Sequence, residues 1–72
     1  MIFIAQQGAR HKPNGPFWTG HYWSVAQNHR KLYSNEEEAA ADVYMAVKSA
    51  RQTVLAINKD TVFLKLTPKR GT

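Results

Sequence analysis

The sequence predicts an α+β domain: a small, mainly antiparallel β-sheet of three to five strands, packed on one face by a single long α-helix. Three observations carry this. An apolar stripe with spacings of three and four runs from Ala39 to Ile57. Short β-branched and aromatic runs lie on either side of it, and clusters of Gly, Pro and Asn separate those runs. At 72 residues the chain makes one domain with a thin core, burying about 60% of the surface its unfolded form exposes.

The elements follow in order. Met1-Ile2-Phe3-Ile4-Ala5 reads as a strand that stops at Gln6-Gln7-Gly8. Residues 8–16 hold two Pro and two Gly, with Arg10 and Lys12, and form a basic loop. Phe17 to Gln27 is aromatic and β-branched enough for a strand, with Gly20 as a bulge. Asn28-His29 turns the chain, and Arg30 to Tyr33 returns as the partner strand.

The helix begins near Glu36. Ser34 with Glu37, or Asn35 with Glu38, has the capping-box spacing. From there Ala39, Val43, Ala46, Val47, Ala50, Val54 and Ile57 form one stripe with no Gly or Pro over residues 35–57. A helix through Ile57 with Asn58 as its left-handed cap is the favoured reading. The competing one makes β-rich Thr53–Ile57 a strand, hairpinned through Asn58-Lys59-Asp60 to Thr61–Leu66. In that last strand Val62, Leu64 and Leu66 share a face, and residues 68–72 form a frayed basic tail. A sheet covered on one side by the helix leaves its other side free.

Composition narrows the function. The absence of Cys removes disulfides, thiolate zinc sites and cysteine catalysis. The apolar opening is far shorter than the roughly 20 residues of a membrane span and lacks the pattern of a signal peptide. A soluble protein of the cytoplasm, prokaryotic or phage-infected, is therefore expected. His11, His21 and His29 stand ten and eight apart, which matches no metal spacing. No nucleophile elbow or glycine-rich phosphate loop occurs. Neither catalysis, nor a cofactor, nor a metal is expected.

The charge is unevenly placed. The formal net charge is +5, but residues 36–42 carry −4 through Glu36, Glu37, Glu38 and Asp42, leaving +9 on the rest. Carboxylates in a first helical turn serve the helix dipole, so the remaining surface is strongly basic. Cationic side chains interleave with aromatic ones in the first half of the chain: Arg10-His11-Lys12, Phe17-Trp18, His21-Tyr22-Trp23, His29-Arg30-Lys31 and Tyr33. That combination suits phosphate contacts with base stacking. Alternation places Phe17, Trp23 and Val25 in the core and Trp18 and Tyr22 outside. The nucleic-acid-binding residues expected are thus Arg10, Lys12, Trp18, Tyr22, Arg30, Lys31, Lys69 and Arg70.

From Tyr22 to Lys48 the chain reads Tyr-Trp-Ser-Val-Ala, a turn, then Arg-Lys-Leu-Tyr-Ser-Asn-Glu-Glu-Glu-Ala-Ala-Ala-Asp-Val-Tyr. This resembles the AP2 domain and the arm-type DNA-binding domains of phage integrases. Trp23, Ala26, Tyr33, Glu37, Glu38, Ala39, Ala40 and, with a one-residue shift, Tyr44 fill similar roles. There is no Gly before Tyr33, and the hairpin lacks the arginines that such domains set on DNA. The resemblance implies a three-stranded sheet reading the major groove of duplex DNA. The arrangement of hairpin, helix and closing strand also resembles small phage proteins that bind and block a host enzyme, a polymerase or a defence complex. On that alternative the same cations meet an acidic protein surface. Oligomeric state, base preference and the choice of DNA or RNA stay open.

Overall fold

The computed structural model describes residues 1–8 and 15–69. They form one antiparallel five-stranded sheet and one helix: β1 (Ile2–Gln6), β2 (Phe17–Trp18), β3 (Trp23–Ser24), α1 (Glu36–Ala46), β4 (Val54–Asn58) and β5 (Thr61–Leu66). The α+β class is as expected. Strand order is β3-β2-β1-β4-β5, so the five-residue β1 and β4 lie inside the sheet and the six-residue β5 forms an edge.

The second half departs from the long-helix reading. α1 stops at Ala46, one 3-10 turn (Val47–Ser49) follows, and Val54–Asn58 is a strand paired on both sides. A strand buried on both faces is a continuous apolar run, and here that run happens to extend the helical stripe. What ends the helix is tertiary. The buried Gln6 side chain accepts the Arg51 and Gln52 amides through Oε1, at 3.3 and 3.2 Å. Asn58 is therefore no helix cap. The hairpin turns at Lys59-Asp60, with Lys59 at φ 59° and its amide donating to the Met1 carbonyl.

The first half also differs in detail. Rather than one strand over Phe17–Gln27, the two-residue β2 and β3 pair across a turn at Thr19–Tyr22, where Gly20 takes φ 107°. Gln27–His29 is a 3-10 turn. The expected Arg30–Tyr33 strand reduces to the Lys31 amide on the Trp18 carbonyl and a single bridge of Tyr33 to Ile2. These segments are too short to pair further, since Lys31–Tyr33 takes over the β1 side that β2 leaves.

Each sheet face has its own core. On one, Ile2, Ile4, Trp18, Val54 and Ala56 meet Ala39, Val43 and Ala46 of α1, with Tyr33 at the margin. On the other, Ala5, Phe17, Leu55 and Ile57 cluster with Phe3 and Val62 against them. A bulge between Ala56 and Ile57 shifts the register of β5 and puts Val62 on this second face. It therefore does not share a face with Leu64 and Leu66, which join the helix side. Leu55 and Ile57 are 1% and 2% exposed, so the second face does not present an open apolar surface for docking.

Candidate nucleic-acid interface

The helix start fixes one end of the molecule. Asn35 is the cap, its Oδ1 accepting the Glu38 amide at 2.9 Å, and the Ser34 hydroxyl donates to the Glu38 carboxylate at 3.2 Å. Of the two capping spacings in the sequence, the Asn35–Glu38 one is used. Asn58 of the β4–β5 hairpin donates its side-chain amide to Glu36 at 3.2 Å. One turn on, Asp42 accepts the buried Tyr33 hydroxyl at 2.5 Å and lies 3.7 Å from the Lys31 ammonium. Burial, and then the Asp42 carboxylate, hold the Tyr33 phenol well above its ordinary ionisation range. Asp60 sits in the same hairpin turn as Lys59, so four of the five acids gather at this end, and Asp42 lies just past the middle of α1.

The residues expected to touch nucleic acid fall in different places. Arg10, Lys12 and Arg70 lie outside the described residues. Trp18 is 6% exposed and packs on Trp23 with ring centroids 5.1 Å apart, which takes its ring out of any stacking surface. The outside-facing assignment failed because both sheet faces are buried, so alternation decides between two cores. Correspondingly Val25, assigned to the core, is 85% exposed. Tyr22 is exposed, at the end of the tight turn held by Thr19.

Arg30 and Lys31 do not form a patch. As neighbours in extended chain they leave on opposite sides of the sheet. The Arg30 guanidinium lies 5.0 Å over the Phe3 ring and donates to the Gln27 carbonyl and weakly to the Met1 sulfur. Lys31 points to Asp42 and lies 5.1 Å over the Tyr33 ring. Both are held at the acidic end by contacts within the chain. Lys69 is exposed just beyond β5, at the opposite edge of the sheet from β3.

The opposite end of α1 has a different character. The end of the helix, the 3-10 turn and the residues after β5 enclose a cleft of about 660 Å³, lined by Tyr44, Val47, Lys48, Ala50 and residues 66–69. Val47, Ala50 and Leu66 belong to the helix-side core and form its apolar floor. Tyr44 is 58% exposed on its wall, and Lys48 and Lys69 stand on its rim. Thr67 and Pro68 separate it from a shallower hollow of about 340 Å³ beside Arg51. Lys65 lies at the same end of β5 but, opposite Leu55, on the other face of the sheet. Lys48, Lys65 and Lys69 have no ion-pair partner among the described residues.

Tyr44 and Lys48, which line this cleft, are not among the residues expected from the sequence to touch nucleic acid. The available signal was the acid-free stretch from Val43 to Asn58, which carries Lys48 and Arg51. No family model, curated protein or solved structure matches the chain. Among the described residues no cluster of His, Asp or Glu is placed to hold a metal ion, and no helix is long and apolar enough to cross a membrane.

Proposed function

We propose that this chain is a small basic nucleic-acid-binding module whose interface is the end of the molecule that carries Lys48, Arg51, Lys65 and Lys69. The observation that supports it is the separation of charge along α1. An 11-residue helix is about 16 Å long, twice the ~8 Å over which physiological salt screens exposed charges. Glu36, Glu37 and Glu38 at the helix start therefore do little to neutralise the cations at its end, and Asp42, which is nearer to them, is engaged by Tyr33 and Lys31. The Glu38 and Glu36 carboxylates also accept hydrogen bonds from Ser34 and Asn58. The helix C-terminus itself repels anions, so the lysines dominate only because several converge there. Duplex DNA, the partner expected from the sequence, and single strands are both compatible with a surface of this kind.

Salt titration tests the reading. Three lysines on phosphates give a log–log slope of binding constant against salt of about −2.7 for duplex and −2.1 for single strands. Lys48→Gln is expected to flatten that slope by about one phosphate contact, to the same degree on every sequence. A flat slope, or no binding at about 50 mM salt, sinks the reading.

A second reading keeps one observation of its own. The outer edge of β5 has no strand partner in the five-strand order, and an extended segment of an acidic protein adds to such an edge by main-chain hydrogen bonds. This is the inhibitor or adaptor alternative, with a host enzyme as target. Polyglutamate displacing an oligonucleotide of equal charge at equal concentration favours it.

A further inference from the structure

We infer that the cleft at the end of α1 takes an unpaired nucleotide of a single strand, its base against the Tyr44 ring and its flanking phosphates on Lys48 and Lys69. This rests on the nucleic-acid reading and sharpens it from a basic surface to a built site.

Four features of the cleft converge on that ligand. First, an aromatic ring is left in water where a small domain has every reason to bury it. Tyr44 is 58% exposed although Val43 and Ala46 beside it are fully buried. Of the exposed aromatic rings among the described residues, Tyr22 sits on the β2–β3 turn, whereas Tyr44 faces a concavity. Second, the floor of Val47, Ala50 and Leu66 is apolar, which suits the face of a base and gives a phosphate nothing. Third, the rim carries Lys48 and Lys69, no carboxylate is among the described residues that line the cleft, and Glu36, Glu37 and Glu38 lie at the other end of the helix. Charge complementarity therefore selects an anionic ligand with an apolar, planar part. Fourth, a volume of about 660 Å³ is within the range of pockets that enclose small organic ligands.

The same geometry disfavours a duplex in this cleft. Bases in a duplex are stacked on one another and offer only their edges, so a ring at the wall of a cleft has no face to meet. Groove reading calls for a helix or strand ribbon projecting from the surface. Here both sheet faces are closed by their own cores, and α1 lies along the sheet. Stacking on an exposed ring with lysines tracking the backbone is the mode by which single strands are held without sequence preference.

The test compares two labelled twelve-nucleotide strands, oligothymidylate and an abasic strand with the same phosphates, by fluorescence anisotropy on the full chain at about 50 mM salt. The wild type is expected to prefer the strand with bases by about 5- to 100-fold, the range found when a stacking ring is removed. Tyr44→Ala is expected to abolish that preference while leaving abasic binding within about twofold, and Tyr44→Phe to keep it. Because the ring is mostly in water, the alanine variant retains the fold, which its melting curve checks. If Tyr44→Ala keeps the preference, or the wild type has none while still binding both strands, the cleft assignment is overturned and the general reading stands. If the wild type binds neither strand nor a duplex, both fall together. Polyglutamate binding in that last case assigns the cleft to an acidic protein segment.

Discussion

The Tyr33–Asp42 contact makes a quantitative prediction about stability at alkaline pH. Tyr33 is 6% exposed and donates its hydroxyl to Asp42, whose side chain is 29% exposed. Ionising the phenol in the folded state would bury a charge beside a carboxylate, so its folded pKa is raised, first by burial and then by Asp42. A raised pKa gives stability that is complete below the unfolded value, about 10 for Tyr, and is lost as pH climbs above it. With the folded phenol still protonated, the unfolded state gains RT ln(1 + 10^(pH−10)), a loss of stability of about 1.4 kcal/mol between pH 9 and pH 11. Tyr33→Phe removes the group that titrates. At neutral pH the variant loses a hydrogen bond to a charged acceptor, about 1–2 kcal/mol, toward the low side because water reaches the freed carboxylate. The penalty then shrinks by about 1.4 kcal/mol at pH 11, the two proteins converging. Urea unfolding followed by circular dichroism at pH 8, 9, 10 and 11 measures the difference directly, and the other titrating groups cancel between the two proteins. A wild-type-to-variant difference that stays constant over that range refutes the assignment of the phenol to a buried, carboxylate-bound state.

Two further outcomes follow from local geometry. Asn35→Ala removes the side-chain acceptor of the Glu38 amide and is expected to cost about 1 kcal/mol, a drop of roughly 4–8 °C in melting temperature for a domain of this size; Ser34→Ala, which leaves the cap in place, should cost distinctly less. Lys59→Gly relieves a side chain held at φ 59° and is expected to leave stability unchanged or raise it by up to about 1 kcal/mol, where a loss above that size would show that the Lys59 side chain stabilises the turn.

Much of the fold is legible in the sequence where one local cause decides. The cap at Asn35, the acidic first turn and the buried stripe Ala39–Val43–Ala46 all follow from side-chain chemistry within a few residues. The failures share another origin. Val54–Ile57 is buried on both faces between β1 and β5, so it has no alternation to betray a strand, and its residues fall in phase with the preceding stripe. The stop signal is the Gln6 carboxamide, which is forty-five residues away in the chain for Arg51. The same two-sided burial misplaced Trp18, because a period of two distinguishes one core from the other only when one of the faces is wet. Positions decided by long-range partners are invisible to a reading of neighbours.

The candidate site shows how charge counted along a chain differs from charge placed in space. Arg30 and Lys31 are adjacent to aromatic residues in sequence and look like a binding surface, yet each is turned back onto the fold, over Phe3 and toward Asp42. Lys48, Lys65 and Lys69 are scattered over three segments and look like ordinary solubilising residues. The antiparallel return of β5 beside α1 brings Lys48 and Lys69 to one cleft, with Lys65 at the same end on the other face, and the hairpin residue Asn58 holds Glu36 at the far end. A helix dipole that draws carboxylates to its N-terminus thus has a second consequence. It draws Glu36, Glu37 and Glu38 to one pole, and at the other Lys48 and Lys69, with no ion-pair partner among the described residues, stand beside a cleft wall that exposes an aromatic ring.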